Sequence, residues 1–236
     1  MIEQLVVNGC SYSESYALGG GHEYLAGQLG IPQARSLAIG GSANTRILRT
    51  TLKHSYSTTV PTLYVLGMTF VSRLELPICN PDNDFEGRWC NPQNQEFSPR
   101  WQHEWTRKQT DEFVALKLRS EVYSILDRTE DLMYRMLGTI ADLQSRGHRV
   151  LMYQQADNLY QGYLTDARLQ QFRRPEIVGG FEWRAITWQL QHGVQPTTYT
   201  VGSPSVPPDM THPKPGHHNL INDYLTNYIQ EHKLLT

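Results

Sequence analysis

Cysteine is scarce in this chain: Cys10, Cys79 and Cys90 are the three among 236 residues. An odd, low count suits a reducing compartment. A bridge between Cys79 and Cys90 stays open as an alternative, because both fall in one segment rich in proline and asparagine. The sequence has no CxxC pair and no compact His/Cys cluster, which argues against a structural zinc site. We expect no cofactor.

Charge of one sign and long apolar runs are lacking as well. The formal net charge is -2 with histidine neutral, whereas a general electrostatic grip on nucleic acid needs clustered Lys and Arg. No apolar stretch approaches the roughly 18 to 20 residues that span a bilayer. The opening "MIEQLVVNGCS" has neither a basic leader nor a long apolar segment. We therefore expect a cytoplasmic protein with no signal peptide, no membrane span and no nucleic-acid partner.

The composition is that of a globular protein, with 39% apolar and 19% charged residues, and the length suits one large domain or two small ones. Short apolar runs alternate with amphipathic stretches, which predicts an α/β fold with right-handed crossovers. A continuous apolar run such as 62–68 is typical of a strand covered on both faces, as in a parallel sheet. The expected strands are 2–8, 34–39 and 62–68, and the expected helices are 21–31 and a three-turn helix with Ser42 or Asn44 as N-cap.

The alternation breaks at residues 77–111, a segment with four prolines and three tryptophans. It is too long for an ordinary connection, so we interpret it as a functional lid or a partner-binding insertion. Its tryptophans either cover a sugar or an acyl chain, or form a small core of their own. The rest of the chain predicts a long helix at 113–146, a strand at 148–154, an ambiguous stretch at 155–200, a proline-rich loop and a closing helix at 217–235.

Reactive groups in an open α/β sheet gather beyond the carboxyl ends of the strands. "NGCSYS" places Ser11 there, and "DMTH" supplies Asp209 and His212. A serine hydroxyl needs a base within hydrogen-bond reach, and the base needs a group that fixes its tautomer. The main-chain N–H groups of Ser11 and Gly41 are candidate donors to a developing oxyanion. Taken singly, each residue also has a structural interpretation, as a helix cap, a turn residue or a buried histidine.

Three blocks of the sequence resemble those of the SGNH (GDSL-like) hydrolases: "NGCSYS", "SLAIGGSANTRI" and "DMTHPKPGHHNLINDYL". The resemblance implies Ser11 as nucleophile, His212 as base, Asp209 as its orienting acid and Gly41 as oxyanion donor. It also implies a flavodoxin-like three-layer α/β/α sandwich with a mainly parallel central sheet, the SGNH hydrolase fold, as one domain over residues 1–236. It does not cover residues 77–111 or 155–205.

Two positions depart from the family pattern. Cys10 stands where the first block usually has Asp. We expect its side chain to point into the core, since neighbours along a strand face opposite sides, although a nucleophilic role is an alternative. Thr69 stands where the third block has an oxyanion-binding Asn, and Thr69, Asn44 or a lid residue would have to supply that donor. Asn44 and Arg73 are candidate substrate ligands; Arg73 can instead pair with Glu75.

These observations favour a serine esterase that cleaves an ester, such as an acyl group on a carbohydrate or lipid. Its partner would be a small-molecule or carbohydrate ester. A non-catalytic carbohydrate- or protein-binding module on the same fold is the first alternative. The second is an acyltransferase that uses the same triad. The sequence does not indicate an oligomeric state.

Overall fold

The computed structural model describes residues 1–40, 42–69, 76–77, 89–90, 125–155, 172–181, 185, 196–197, 212–213 and 218–236. Four strands form its central sheet: β1 (Gln4–Gly9), β2 (Gln33–Ser36), β3 (Thr62–Met68) and β6 (Arg149–Gln154). They are ordered β2-β1-β3-β6, and every pair is parallel. This is the start of the flavodoxin-like 2-1-3-4 order. Ile177, which lies outside the named strands, forms a further parallel bridge with Met152 of β6.

Five helices flank the sheet in the described part of the chain: α1 (Ser11–Leu18), α2 (Gly21–Leu29), α3 (Asn44–Ser57), α4 (Ile125–Ser145) and α5 (His218–Glu231). Successive residues of a strand face opposite sides, and the core divides accordingly. Val7 and Leu63 pack in one cluster with residues of α2 and α5. Val6 and Tyr64 pack in a second cluster with residues of α3 and α4. The three-layer α/β/α prediction is therefore confirmed.

A glycine in the left-handed conformation follows two of these helices. Gly30 follows α2 with φ +68°, and Gly147 lies beyond α4 with φ +78°. The His148 N–H then donates to the Leu143 carbonyl at 3.0 Å, which satisfies a carbonyl of the last helical turn. Glycine adopts this left-handed backbone readily, because it has no Cβ atom.

The start of α3 differs from the prediction. Its N-cap is Ala43, without a side-chain hydrogen bond to the helix. The Ser42 hydroxyl donates instead to the Ile39 carbonyl at 2.6 Å, and the Asn44 amide is bonded to the main chain of Thr69. Both candidate caps were wrong, because tertiary contacts use the polar groups that a cap would need.

Two short antiparallel pairs lie apart from the central sheet. β4 (Leu76–Pro77) pairs with β5 (Trp89–Cys90), and β7 (Pro196–Thr197) pairs with β8 (His212–Pro213). Most of the predicted insertion at 77–111, and residues 113–124 of the predicted long helix, lie outside the described residues. The described residues contain no helix with the length and apolar character needed to cross a membrane.

Candidate active site

The carboxyl ends of β1, β3 and β6 lie side by side. Gly9 is paired with Gly67, and Met68 is paired with Gln154. The chain leaves β1 toward β2 on one side, whereas β3 lies on the other side. The edge between β1 and β3 is therefore the topological switch point, where ligands bind in open α/β sheets.

Ser11 stands at this edge as the first residue of α1. Cys10 alone separates it from β1, and the Glu14 N–H donates to the Cys10 carbonyl at 2.9 Å. The N–H groups of the first turn of a helix have no acceptor within the helix, and they lie at its positive end. The Ser11 N–H is thus placed where a developing negative charge is favoured.

The loop after β2 is tied to the same turn. The Ile39 N–H donates to the Gly9 carbonyl at 3.3 Å, and the Gly40 N–H donates to Glu14 Oε2 on α1 at 2.8 Å. Ser42, on the far side of Gly41, is buried and accepts a hydrogen bond from Arg46 Nη1 at 3.0 Å. Gly41 itself lies outside the described residues, so its oxyanion role stays a prediction.

Asn44 and Thr69 are brought together at the end of β3. Asn44 Oδ1 accepts from the Thr69 N–H at 2.7 Å, and Asn44 Nδ2 donates to the Thr69 carbonyl at 2.9 Å. Gln154 Nε2 donates to the same carbonyl at 3.2 Å. Thr69 is fully buried. The Asn44 amide therefore holds the main chain of Thr69 at the end of β3, and the oxyanion role of Thr69 and the substrate contact of Asn44 stay predictions.

The strand that carries His212 returns to the N-terminal helix. β8, which consists of His212 and Pro213, lies against α1, and His212 is paired with Thr197 in β7. The structure thus brings the main-chain segments of the predicted nucleophile and base together from opposite ends of the chain. Asp209 and Arg73 lie outside the described residues, so the triad stays a prediction.

A buried polar cluster behind the Ser11 turn was missed by sequence reasoning. It consists of Cys10, Ser13, Tyr153 and Gln155, each at most 6% exposed. Burial raises the pKa of the Tyr153 phenol, and hydrogen bonds from Gln155 and Ser13 oppose that shift. The predicted inward orientation of Cys10 is confirmed. The available signal was a glycine at the end of each of two strands, which permits close approach of other groups.

Tyr16 anchors α1 to its neighbours. Its hydroxyl donates to the Gly21 carbonyl at 2.7 Å and also contacts Asn222 Oδ1 on α5. Burial raises the pKa of Tyr16 well above its ordinary value, so the phenol is a neutral donor at physiological pH. The helix that begins at Ser11 is therefore fixed at both ends.

Within the described residues, no group of three or more His, Cys, Asp or Glu side chains could hold a metal ion.

Comparison with known proteins gives a likeness of fold alone. No protein-family model matches this chain, and no curated protein matches it. A crystal structure of TesA is similar over 97% of this chain and 99% of that chain, with 11% sequence identity and a TM-score of 0.46.

Proposed function

We propose that this protein is a serine hydrolase of the SGNH type, which cleaves an ester such as an acyl group on a carbohydrate or lipid. The observation that carries the proposal is the placement of α1. This helix begins at Ser11 on the switch-point edge of the sheet, and β8, which contains His212, lies against it. Among the described helices, α1 alone begins directly after a strand of the central sheet and has a histidine-containing strand against it.

In the proposed reaction, the Ser11 hydroxyl attacks the ester carbonyl carbon while His212 accepts the serine proton. Asp209 orients the imidazole and stabilises its charged form. The tetrahedral intermediate collapses when the carbon–oxygen bond to the alcohol breaks, and His212 returns the proton to the leaving oxygen. A water molecule then repeats the sequence on the acyl-enzyme and releases the acid.

The oxyanion of that intermediate would receive hydrogen bonds from the main-chain N–H groups of Ser11 and Gly41. The first turn of α1 supports the first donor. The fixed positions of Gly40 and Ser42 support the second, because they hold the loop on both sides of Gly41. Thr69 would be the third group, in place of the family Asn, and Asn44 and Arg73 would contact the substrate. Preorganised donors of this kind typically account for about a hundred- to a thousandfold each in rate.

A fluorophosphonate probe tests the proposal, because it reacts covalently with an activated serine. We expect wild-type protein to be labelled at Ser11, as located by peptide mass spectrometry, and Ser11→Ala to lose labelling and turnover of p-nitrophenyl acetate. Ser145→Ala is the matched control. Ser145 is exposed at the end of α4, at the opposite edge of the sheet, and its hydroxyl donates to the Asp142 carbonyl of its own helix.

His212→Ala should lower labelling and turnover as severely as Ser11→Ala, since residues that act as a unit are not additive. Wild-type protein that neither reacts with the probe nor turns over p-nitrophenyl acetate would overturn the proposal. Labelling that persists in Ser11→Ala would also overturn it.

A further inference from the structure

We propose that Gln155 is a positioning residue for the nucleophile turn: its buried amide holds the chain on both sides of Ser11. This inference rests on the proposed function, because it assigns Gln155 a role in that reaction. Gln155 directly follows β6, far from Ser11 along the chain. Its side chain reaches across the end of β3 to the residues that flank the nucleophile.

Both polar atoms of the amide have hydrogen-bond partners. Gln155 Oε1 accepts from the Cys10 thiol at 3.1 Å, and Nε2 donates to the Ser13 hydroxyl. Nε2 also lies 3.4 Å from the Tyr153 hydroxyl. Cys10 precedes Ser11 directly, and Ser13 lies in the first turn of α1. One side chain therefore fixes both sides of the proposed nucleophile.

The main chain of Gln155 is fixed as well. Its N–H donates to the Met68 carbonyl at 2.9 Å, next to the Thr69 main chain that Asn44 holds. Gln155, which follows β6, is thus bonded to Met68 at the end of β3 and to Cys10 directly after β1. A buried polar network that is fully hydrogen-bonded is rigid, because breaking any member leaves a desolvated polar group.

Two glycines leave the space that this amide occupies. A Cβ atom on Gly67 would lie 2.1 Å from Gln155 Nε2 and 2.6 Å from Ser13 Oγ. A Cβ atom on Gly9 would lie 2.1 Å from Ser13 Oγ. Contacts this short do not occur in proteins, so the cluster requires glycine at the end of both strands. The two glycines therefore leave the space in which the Gln155 amide and the Ser13 hydroxyl are packed.

Loss of the amide should displace the Ser11 turn without removing Asn44 or Arg73, the residues proposed to contact the substrate. A shift of the nucleophile and its N–H by about 1 Å can lower the rate about a hundredfold. Substrate binding depends on other residues, so the Michaelis constant should stay nearly constant. A role confined to stability would lower the unfolding temperature and leave kcat per folded molecule unchanged.

The test compares Gln155→Met, which keeps the size of the side chain and removes its hydrogen bonds, with Gln144→Met. Gln144 is a half-buried glutamine on α4 whose Nε2 donates to Glu176 at 2.7 Å, away from the proposed site. With p-nitrophenyl acetate, we expect Gln155→Met to lower kcat about 10- to 100-fold with KM changed less than about threefold. Gln144→Met should keep the wild-type kcat.

Smaller changes test the same contacts if Gln155→Met fails to fold. Ser13→Ala removes one oxygen atom, and Cys10→Ala removes the thiol donor. Both should lower kcat and the rate of fluorophosphonate labelling by about threefold or more, whereas Cys10→Ser retains a donor to Gln155 and should restore most of the rate. If Gln155→Met does fold, adding Ser13→Ala to it should lower kcat little further, because both changes break the same contact.

Folded Gln155→Met, Ser13→Ala and Cys10→Ala variants with wild-type kcat would overturn the role of Gln155. A rise in KM alone would overturn it too. Because Ser11→Ala is measured beside them, the two proposals fail separately. Loss of labelling in Ser11→Ala with no effect of the cluster variants rejects this inference alone, and unchanged labelling in Ser11→Ala rejects the proposed function.

Discussion

Gly67 has no side chain, and this leaves room for the Gln155 amide and the Ser13 hydroxyl beside the Ser11 turn. The residue is the penultimate one of β3 and is paired with Gly9 and Tyr153. We expect Gly67→Ala to displace the Gln155 amide and the Ser13 hydroxyl. Overpacking of this kind typically destabilises a fold by about 1 to 3 kcal/mol, measurable by urea denaturation.

Gly138 provides the matched control. It lies on the exposed side of α4, and a Cβ atom there meets nothing within 4 Å. Alanine is favoured over glycine inside a helix by about 1 kcal/mol, so Gly138→Ala should raise the free energy of unfolding. If Gly67→Ala were as stable as wild type, the close approach at the end of β3 would be refuted.

Helix α3 and strand β3 are joined at their ends by Asn44, whose amide bonds to the N–H and carbonyl of Thr69. Asn44→Ala would leave a buried N–H without this acceptor. We expect a loss of about 2 to 3 kcal/mol in the free energy of unfolding, since an unsatisfied buried polar group costs about 1 to 3 kcal/mol. Asn227→Ala, on the exposed face of α5, should change it by less than about 0.5 kcal/mol.

Helix α1 and the loop after β2 are joined by the Glu14 carboxylate, which accepts from the Gly40 N–H. Glu14→Ala should free the loop that carries Gly41. Within the proposed mechanism, we expect kcat for p-nitrophenyl acetate to fall about tenfold, less than the hundred- to thousandfold of losing an oxyanion donor outright. Glu14→Gln keeps an acceptor oxygen and should retain most of the rate. Equal kcat values for wild type and Glu14→Ala would exclude this role.

The elements with a continuous or periodic apolar pattern were predictable from the sequence. The run at 62–68 has the same bounds as β3 (Thr62–Met68), because every one of its residues is buried. Helix α1 was not predicted. Its sequence "SYSESYAL" has no apolar stripe. The Tyr16 ring alone reaches the buried core as a large side chain, and the other side-chain attachments of α1 are polar, through Ser13 and Glu14. Polar attachments leave no periodic signal, so pattern reading fails at the element nearest the proposed nucleophile.

At the scale of the whole molecule, the α/β class followed from the alternation of strands and helices, whereas the long-range polar contacts did not. Asn8, inside the first strand, illustrates the difference. Its Nδ2 lies within 3.0 Å of the Ile47 carbonyl and of the hydroxyls of Thr50 and Thr51 on α3. An asparagine in a strand has many candidate partners, and only the three-dimensional arrangement selects among them. The contacts of Gln155 with Cys10 and Ser13 could not be predicted from the sequence for the same reason.

Two histidines lie near the opposite edge of the sheet, and we expect them to make stability depend on pH. Tyr64 contacts the rings of both His54 and His148, with centroids 5.8 and 5.5 Å away. Burial lowers the pKa of His148, with Arg146 acting in the same direction, against a hydrogen bond with the Ser55 main chain and the charge of Asp142. Burial, Arg35 and His148 lower the pKa of His54. His148 Nδ1 accepts from the Thr62 N–H at 3.3 Å, a contact that requires the neutral ring.

Since both pKa values are lower in the folded state, the neutral histidines contribute their full stabilisation above about pH 6.5, the ordinary value in an unfolded chain. Below that pH the unfolded chain takes up protons first, so the free energy of unfolding falls, by at most about 1.4 kcal/mol per pH unit for His148. Urea denaturation between pH 5 and 8 measures this dependence. His148→Gln, which cannot titrate, should be less stable at pH 8 and show a shallower decline toward pH 5. A variant with the same slope as wild type would show that His148 does not couple folding to proton uptake.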